Sequence, residues 1–184
     1  MAITLISTIT VGAGGAASID FSSIPNTYTD LMVVYSLRGT VSAGVSNAKL
    51  TFNGATTNYS GRTYMGFGNG SAGYSETNVD QFSSPWPFIN FYANVGSTAT
   101  ANTFSNGSLL VPNYAGSTNK CVSLDWVDET NASGAWCGIN AGLWSNTAAI
   151  TSLSIGAYSG TWVQYSTASL YGITKGSSGG VTVA

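Results

Sequence analysis

The stretch Trp136–Ile173, WCGINAGLWSNTAAITSLSIGAYSGTWVQYSTASLYGI, decides the fold class. It consists of three short alternating runs separated by small polar turns, a pattern that has the two-residue period of strands and no helical period. In the middle run, one parity comprises Ala149, Thr151, Leu153, Ile155 and Ala157, and the other comprises Ser152, Ser154 and Gly156. This alternation predicts a strand with one buried face, and the three runs together predict a β-meander.

The run that precedes it repeats the alternation and ends in the turn residues Ser145–Thr147. Its apolar parity comprises Ala135, Cys137, Ile139, Ala141 and Leu143. Because a half-buried strand turns its apolar parity towards the core, we expect these side chains to be buried.

The rest of the chain continues the pattern of short strands. We predict strands over Ile3–Val11, Ala17–Phe21, Asp30–Leu37, Ala48–Phe52, Tyr59–Phe67, Phe88–Ala93, Asn106–Val111 and Val122–Trp126. The continuous apolar run Leu31–Val34 indicates a central strand buried on both faces, and Asn53–Gly54 indicates a hairpin. The sequence therefore predicts an all-β fold, an antiparallel two-sheet sandwich of jelly-roll type with about nine to ten strands.

The 184 residues fit one domain, which we expect to span 1–175. The remaining GSSGGVTVA, 176–184, is typical of a flexible C-terminal tail. Gly66–Pro87 is polar, glycine-rich and too long for a turn, so it predicts an exposed excursion. The first residues alternate as a strand does and contain no Lys or Arg, which favours a first strand over a signal peptide. No apolar run is long enough to predict a membrane span.

Charge is scarce. Charged residues make up 7% of the chain and the net charge is −2, whereas an ordinary soluble domain has about 25% charged residues. The five basic residues are dispersed, which argues against nucleic-acid binding: Arg38, Lys49, Arg62, Lys120 and Lys175. The chain contains no histidine, the residue that proton transfer and metal binding use most. We expect no cofactor and no enzymatic activity.

Two small groups of residues leave alternatives open. Cys121 and Cys137 lie in neighbouring predicted strands, where they are either a cross-strand disulfide or, as we favour, reduced packing residues. Asp125, Asp128 and Glu129 crowd one predicted hairpin end. They are either a calcium site, an acid–base pair or, as we favour, a solvated turn, so we predict no metal site and no catalytic residue.

Aromatic residues are the candidates for contacts with a partner or a glycan. Trp126 shares the parity of Val122 and Leu124, so we expect it in the core. The candidates are Tyr74, Phe82 and Trp86, in the predicted excursion, and Trp144 and Trp162, at the ends of predicted strands. The alternative for the first three is that they fold back under their own loop.

Four collinear segments carry a resemblance: IDFSSIPNTYTDLMVVYSLRG (Ile19–Gly39), LLVPNYAGSTNK (Leu109–Lys120), AGLWSNTAAITSLSI (Ala141–Ile155) and VQYSTASLYGITK (Val163–Lys175). They resemble a family of small, mostly uncharacterised proteins encoded by tailed bacteriophages. The resemblance implies a virion structural protein and carries over no catalytic residue.

Within that resemblance we expect a capsid decoration or cement protein that binds the major capsid protein, or other virion proteins, as a homo-oligomer, a trimer or a dimer. Such a protein is made in the host cytoplasm and then resides in the virion. The alternative is a tail-fibre or receptor-binding module that recognises a host surface glycan. An enzyme is disfavoured, because the sequence shows neither histidine nor a nucleophile elbow.

Overall fold

Period-two alternation dominates the chain, and it produces twelve β-strands among the residues that the structure describes. The computed structural model describes residues 1–68, 78–130 and 135–175, without the side chains of 67–68, 78–86 and 92–94. The predicted C-terminal tail, 176–184, lies outside the described residues. In chain order the strands are β1 (Ala2–Thr10), β2 (Ser18–Phe21), β3 (Asp30–Leu37), β4 (Val45–Phe52), β5 (Tyr59–Gly68), β6 (Asn78–Trp86), β7 (Ile89–Val95), β8 (Ser105–Pro112), β9 (Lys120–Asp128), β10 (Ala135–Trp144), β11 (Leu153–Ala157) and β12 (Thr167–Thr174).

The strands form two antiparallel sheets whose inner faces enclose the core. The large sheet has eight strands in the order β1-β12-β3-β8-β9-β10-β5-β6, and the small sheet has four in the order β2-β11-β4-β7. Large buried aromatic residues include Trp126, Trp144, Trp162, Tyr35 and Phe52. The predicted all-β, antiparallel two-sheet sandwich is confirmed, with more strands than the sequence indicated.

β3 is an interior strand, as predicted, but only one of its faces is buried. It pairs with β12 on one side and β8 on the other. Leu31 and Val33 are fully buried, whereas Val34 is 44% exposed on the opposite face. The apolar run in β3 therefore supplies both the core and the outer face of the large sheet.

The region Gly66–Pro87 is not an exposed excursion throughout, because it contains β6. This strand pairs antiparallel with β5, from Met65 opposite Asn78 to Tyr59 opposite Trp86. It escaped prediction because it lies at an edge of the sheet, where polar residues and proline are tolerated. Residues 69–77 of the predicted excursion lie outside the described residues.

The predicted meander over Trp136–Ile173 is wrong, although its three strands exist. β10 and β12 lie in the large sheet with β3, β8 and β9 between them, and β11 lies in the small sheet between β2 and β4. The connections 145–152 and 158–166 are longer than the roughly two to five residues of a hairpin loop. This length lets the chain cross from one sheet to the other and back.

Asn53–Gly54 likewise joins the two sheets and does not close a hairpin, because β4 belongs to the small sheet and β5 to the large one. Asn53 has a positive φ of 52°, and its amide group binds the connection between β10 and β11. The Asn53 Nδ2 donates to Ala149 O at 2.8 Å, and its Oδ1 accepts from Thr151 N at 2.8 Å. The turn residue therefore anchors another crossing segment.

The two cysteines cannot form a disulfide with each other. In the β9–β10 ladder, Cys121 lies opposite Leu143 and Cys137 lies opposite Val127. The register separates the thiols by about 20 Å, whereas a disulfide needs Cα atoms within about 7 Å. Both thiols are free and exposed, so the expectation that they are packing residues is wrong.

We predict that the fold requires neither a metal nor a disulfide, since the packed sheets supply the stability. A chelator together with a reductant should leave the melting temperature, measured by scanning calorimetry, unchanged within about 2 °C. The described residues contain no group of three or more His, Cys, Asp or Glu placed to share an ion. A fall of more than about 10 °C, restored by added calcium, would contradict this prediction.

The outer face of the large sheet as a candidate interaction site

β10 presents its apolar parity to solvent, which overturns the expectation that this parity is buried. Ile139 is 60% exposed, and Cys137 and Ala141 on the same side are exposed as well. The opposite parity faces the small sheet and comprises Trp136, Gly138, Asn140, Gly142 and Trp144. The side chains that alternation assigned to the core therefore form part of the molecular surface.

Two glycines explain why β10 adopts this orientation. A Cβ atom at Gly138 would lie 2.6 Å from the ring of Trp126, and one at Gly142 would lie 2.7 Å from Ile89 Cδ1. Real Cβ atoms do not approach so closely, so these positions accept only glycine without rearrangement. Trp126 from β9 and Ile89 from β7 fill the space above β10, and the apolar side chains of β10 are not needed there.

Asn140 fixes the same orientation through hydrogen bonds. Its Oδ1 accepts from Trp126 Nε1 at 2.9 Å, and its Nδ2 donates to Asn90 O at 3.1 Å and also to Thr63 Oγ1. The amide group is almost fully buried. It connects β10 to β9 and β5 on either side and to β7 in the small sheet.

Residues directly opposite each other in a ladder share a face, so the registers map the outer face of the large sheet. One row from β1 to β5 comprises Leu5, Tyr171, Met32, Leu110, Ser123, Ala141 and Arg62. The next row comprises Thr8, Ser169, Val34, Ser108, Asp125, Ile139 and Tyr64. Of the nine exposed large apolar residues described, six project from this face: Ile3, Leu5, Val34, Tyr64, Val127 and Ile139.

A shallow depression of about 500 Å³ lies on this face where β9, β10 and β5 meet. Tyr64, Ile139 and Ala141 line it, and Arg62 and Asp125 flank it. The Asp125 carboxylate accepts a hydrogen bond from the Ser108 hydroxyl at 2.5 Å. The depression is thus apolar at its centre, with one charge of each sign at its rim.

Three of the five basic side chains serve the protein's own structure. Arg38 Nη1 donates to the carbonyl oxygens of Thr100 and Thr103, each at 2.8 Å. Lys120 is buried, donates to Gly116 O at 2.7 Å, and has a lowered pKa because burial disfavours its charged form. Lys175 pairs with Asp30 at 3.0 Å. These contacts hold the three cations at separate places, so the three side chains do not form the continuous basic surface that nucleic-acid binding requires.

Of the aromatic residues predicted as partner or glycan contacts, only Trp144 and Trp162 have side chains that the structure describes. Tyr74 lies outside the described residues, and Phe82 and Trp86 belong to β6, whose side chains are not described. Trp144 and Trp162 are buried, so their predicted surface position is wrong.

Both buried tryptophans have partners in the core. Trp144 stacks on Tyr59 with ring centroids 6.1 Å apart, and Trp162 Nε1 donates to Ile155 O at 2.9 Å. A position near the end of a strand did not expose them, because the neighbouring sheet covers them. Sequence reasoning missed three exposed tyrosines, Tyr64, Tyr158 and Tyr165, and Tyr64, which is 54% exposed, is the one on the outer face of the large sheet. Tyr64 shares the parity of the charged Arg62 in β5, and this shared parity was the available sign that Tyr64 faces solvent.

The acidic residues near the β9–β10 connection do not converge either. Alternation along β9 places Asp125 outside and Asp128 in the core. Burial raises the pKa of Asp128 from its ordinary value of 3.8 to about 7, partly opposed by the Ser105 hydroxyl. The paired carboxylates considered for calcium binding or acid–base chemistry are therefore on opposite faces of the sheet.

No protein-family model matches the chain, and no relative was found among curated proteins. The bacteriophage family that the four segments resemble therefore stays a prediction. Among the described residues there is no helix with the length and apolar character to cross a membrane.

We predict that Asn140→Ala lowers the free energy of unfolding by about 2–4 kcal/mol, because Trp126 Nε1 and the Asn90 carbonyl lose a buried partner. Urea denaturation followed by tryptophan fluorescence measures the change. The matched control is Asn106→Ala at an exposed outward position of β8, which should stay within about 0.5 kcal/mol of wild type. Equal effects of the two substitutions would show that Asn140 does not hold the strand.

We predict that Asp128 lowers the stability of the fold as pH rises from about 4 to about 7, since the unfolded carboxyl ionises at lower pH than the folded one. The loss is at most about 4 kcal/mol and is complete above the folded pKa. Asp128→Asn should therefore be more stable than wild type at pH 8 and similar to it near pH 4. Urea midpoints at both pH values measure this, with Glu129→Gln as an exposed control. Equal stabilisation by Asp128→Asn at pH 4 and at pH 8 would contradict this prediction.

Proposed function

We propose that this chain is a structural protein of a tailed-bacteriophage virion, and that it decorates the outer surface of the capsid as an oligomer, in the manner of a cement protein. Its partners are then the major capsid protein or other virion proteins. It is made in the host cytoplasm and carried in the virion. The observation that carries the proposal is the apolar, sparsely charged outer face of the large sheet.

The size of this face supports a protein partner. Eight strands about 4.8 Å apart, each about eight residues long, cover roughly 1,000 Å². A standard protein interface buries about 800 Å² on each partner. The large sheet is therefore broad enough to carry such a contact by itself.

The chemistry of the face points the same way. Exposed apolar side chains that gather on one face mark interaction sites, and six of the nine exposed large apolar residues described lie on this face. Among the described side chains, Asp30, Arg62 and Asp125 are the charged groups at outward positions of the large sheet, and Asp30 is buried in its ion pair with Lys175. A contact made by such a face depends on apolar packing more than on charge.

The virion assignment draws on the resemblance of the four segments to bacteriophage proteins. A capsid is a repeating lattice of subunits, and such a lattice strengthens binding through a face of this kind. Each copy contributes a modest contact, and many copies on a repeating surface sum to stable attachment. The alternative is a receptor- or glycan-binding module. Two of the aromatic residues that were candidates for binding a glycan, Trp144 and Trp162, are buried in the core and cannot contact one there.

Rebinding to capsids stripped of this protein tests the proposal. Wild-type protein should bind in about 1 M salt, because the Debye length there is only about 3 Å and a charge-based contact would be screened. Ile139→Lys should weaken binding by about tenfold or more, since it replaces an apolar side chain at the centre of the face by a long, hydrated, charged one. Co-sedimentation with the capsids measures both results.

The matched control is Tyr165→Lys, which replaces an apolar residue of similar exposure away from the face, 67% against 60% for Ile139. It should bind as wild type does. Loss of binding in both variants, or in neither, would count against the outer face as the contact. Adhesion of the wild type to host cells in place of capsids would favour the receptor-binding alternative.

A further inference from the structure

One part of the same outer face lies at the β1 edge of the large sheet and is apolar. We call it the β1 corner, and it comprises the exposed Ile3 and Leu5 with the half-buried Met32, Leu110 and Tyr171 and the buried Ile173 beside them. The ladder places Leu5 beside Tyr171 and Ile3 beside Ile173 on the outer face. None of these side chains belongs to the cluster that packs between the sheets.

A β-bulge in β1 creates this corner. The register with β12 shifts between Leu5 and Ser7, so Ile6 is the extra residue. Ile6 and Ile9 pack against the core, whereas Ile3 and Leu5 are 52% and 55% exposed. In a regular strand, Ile3, Leu5 and Ile9 would share one face. The bulge therefore turns two apolar side chains outward, and bulges are commonly used to redirect side chains next to functional surfaces.

The open edge of β1 lies beside the corner. Among the described residues, β1 pairs with β12 alone. Its sequence, AITLISTIT, contains no charge and no proline. β6, at the opposite edge of the same sheet, contains Asp80 and Pro85, residues that discourage pairing with another strand. β1 lacks these side-chain protections, and the arm Ala2–Leu5 pairs regularly with β12 before the bulge.

We infer that a second copy of the chain binds at this edge, strand β1 against strand β1, antiparallel about a two-fold axis near Thr4. This arrangement puts Ile3 of each copy opposite Leu5 of its partner on the outward face, which makes two apolar cross-strand pairs. The main-chain groups of the two arms extend the large sheet from one copy into the next.

The chemistry of the corner favours a second copy over an unrelated partner. A two-fold axis at Thr4 makes the arm self-complementary, because the apolar pair of Ile3 with Leu5 forms twice. β1 carries no charge that would need a partner, and the one ion pair described nearby, Asp30 with Lys175, is already neutral. This inference deepens the proposed function and rests on its oligomeric part, but the dimer requires no capsid.

Sedimentation equilibrium of the full chain tests the inference without any capsid. The wild type should be a dimer at about 100 µM, a concentration suited to a small interface. Leu5→Lys should shift it to the monomer, since each copy then places an unpaired charge against the apolar Ile3 of its partner. The double variant Ile3→Lys/Leu5→Glu should restore the dimer, because each introduced charge then faces its opposite across the axis.

The matched control is Ile139→Lys, an exposed apolar residue in the same sheet but far from β1. It should remain dimeric while losing capsid binding, so a failed dimer and a failed capsid contact are distinguishable. Melting curves verify that each variant is folded. A monomeric wild type, a dimeric Leu5→Lys variant, or a double variant that stays monomeric would each overturn the inference.

Discussion

The buried amide of Asn140 is the constraint on which the surface of this protein depends. A polar group in the core has to be hydrogen-bonded, and Asn140 finds partners on β9, β5 and β7 only when it points inward. A strand has two faces, so an inward Asn140 requires an outward Ile139. Gly138 and Gly142 make the orientation sterically possible, because Trp126 and Ile89 occupy the space that side chains would need.

The need to bury and hydrogen-bond the Asn140 amide therefore also determines which side chains of β10 lie on the surface. Burying the Asn140 network leaves the apolar parity of β10 on the outside, next to Tyr64 of β5 and Val127 of β9. Exposed apolar area is unfavourable in water by about 25 cal/mol per Å², and that free energy is recovered when a partner covers it. An assembly that always covers the face removes the disadvantage, which suits a protein that works by contact with others.

Local patterns predicted the strands well. The continuous apolar run Leu31–Val34 located Asp30–Leu37 to the residue, and alternation located most other strands to within a few residues, because both patterns are properties of each segment alone. β6 was the exception, since an edge strand need not alternate. Which strands are neighbours was not predictable in this way: β10, β11 and β12 are consecutive in sequence but separated in the sheets.

The sequence by itself determined the all-β class, the positions of most strands and the shortage of charge, because these follow from local period and composition. The tertiary structure alone decided which face of each strand is buried. Alternation defines two parities without saying which one meets the core, and in β10 glycines, a buried amide and a neighbouring tryptophan reversed the apolar preference. In β1 a single bulge divided one apolar parity between the two faces. The candidate interaction face results from these two features, and both depend on contacts between strands, which no single segment of the sequence specifies.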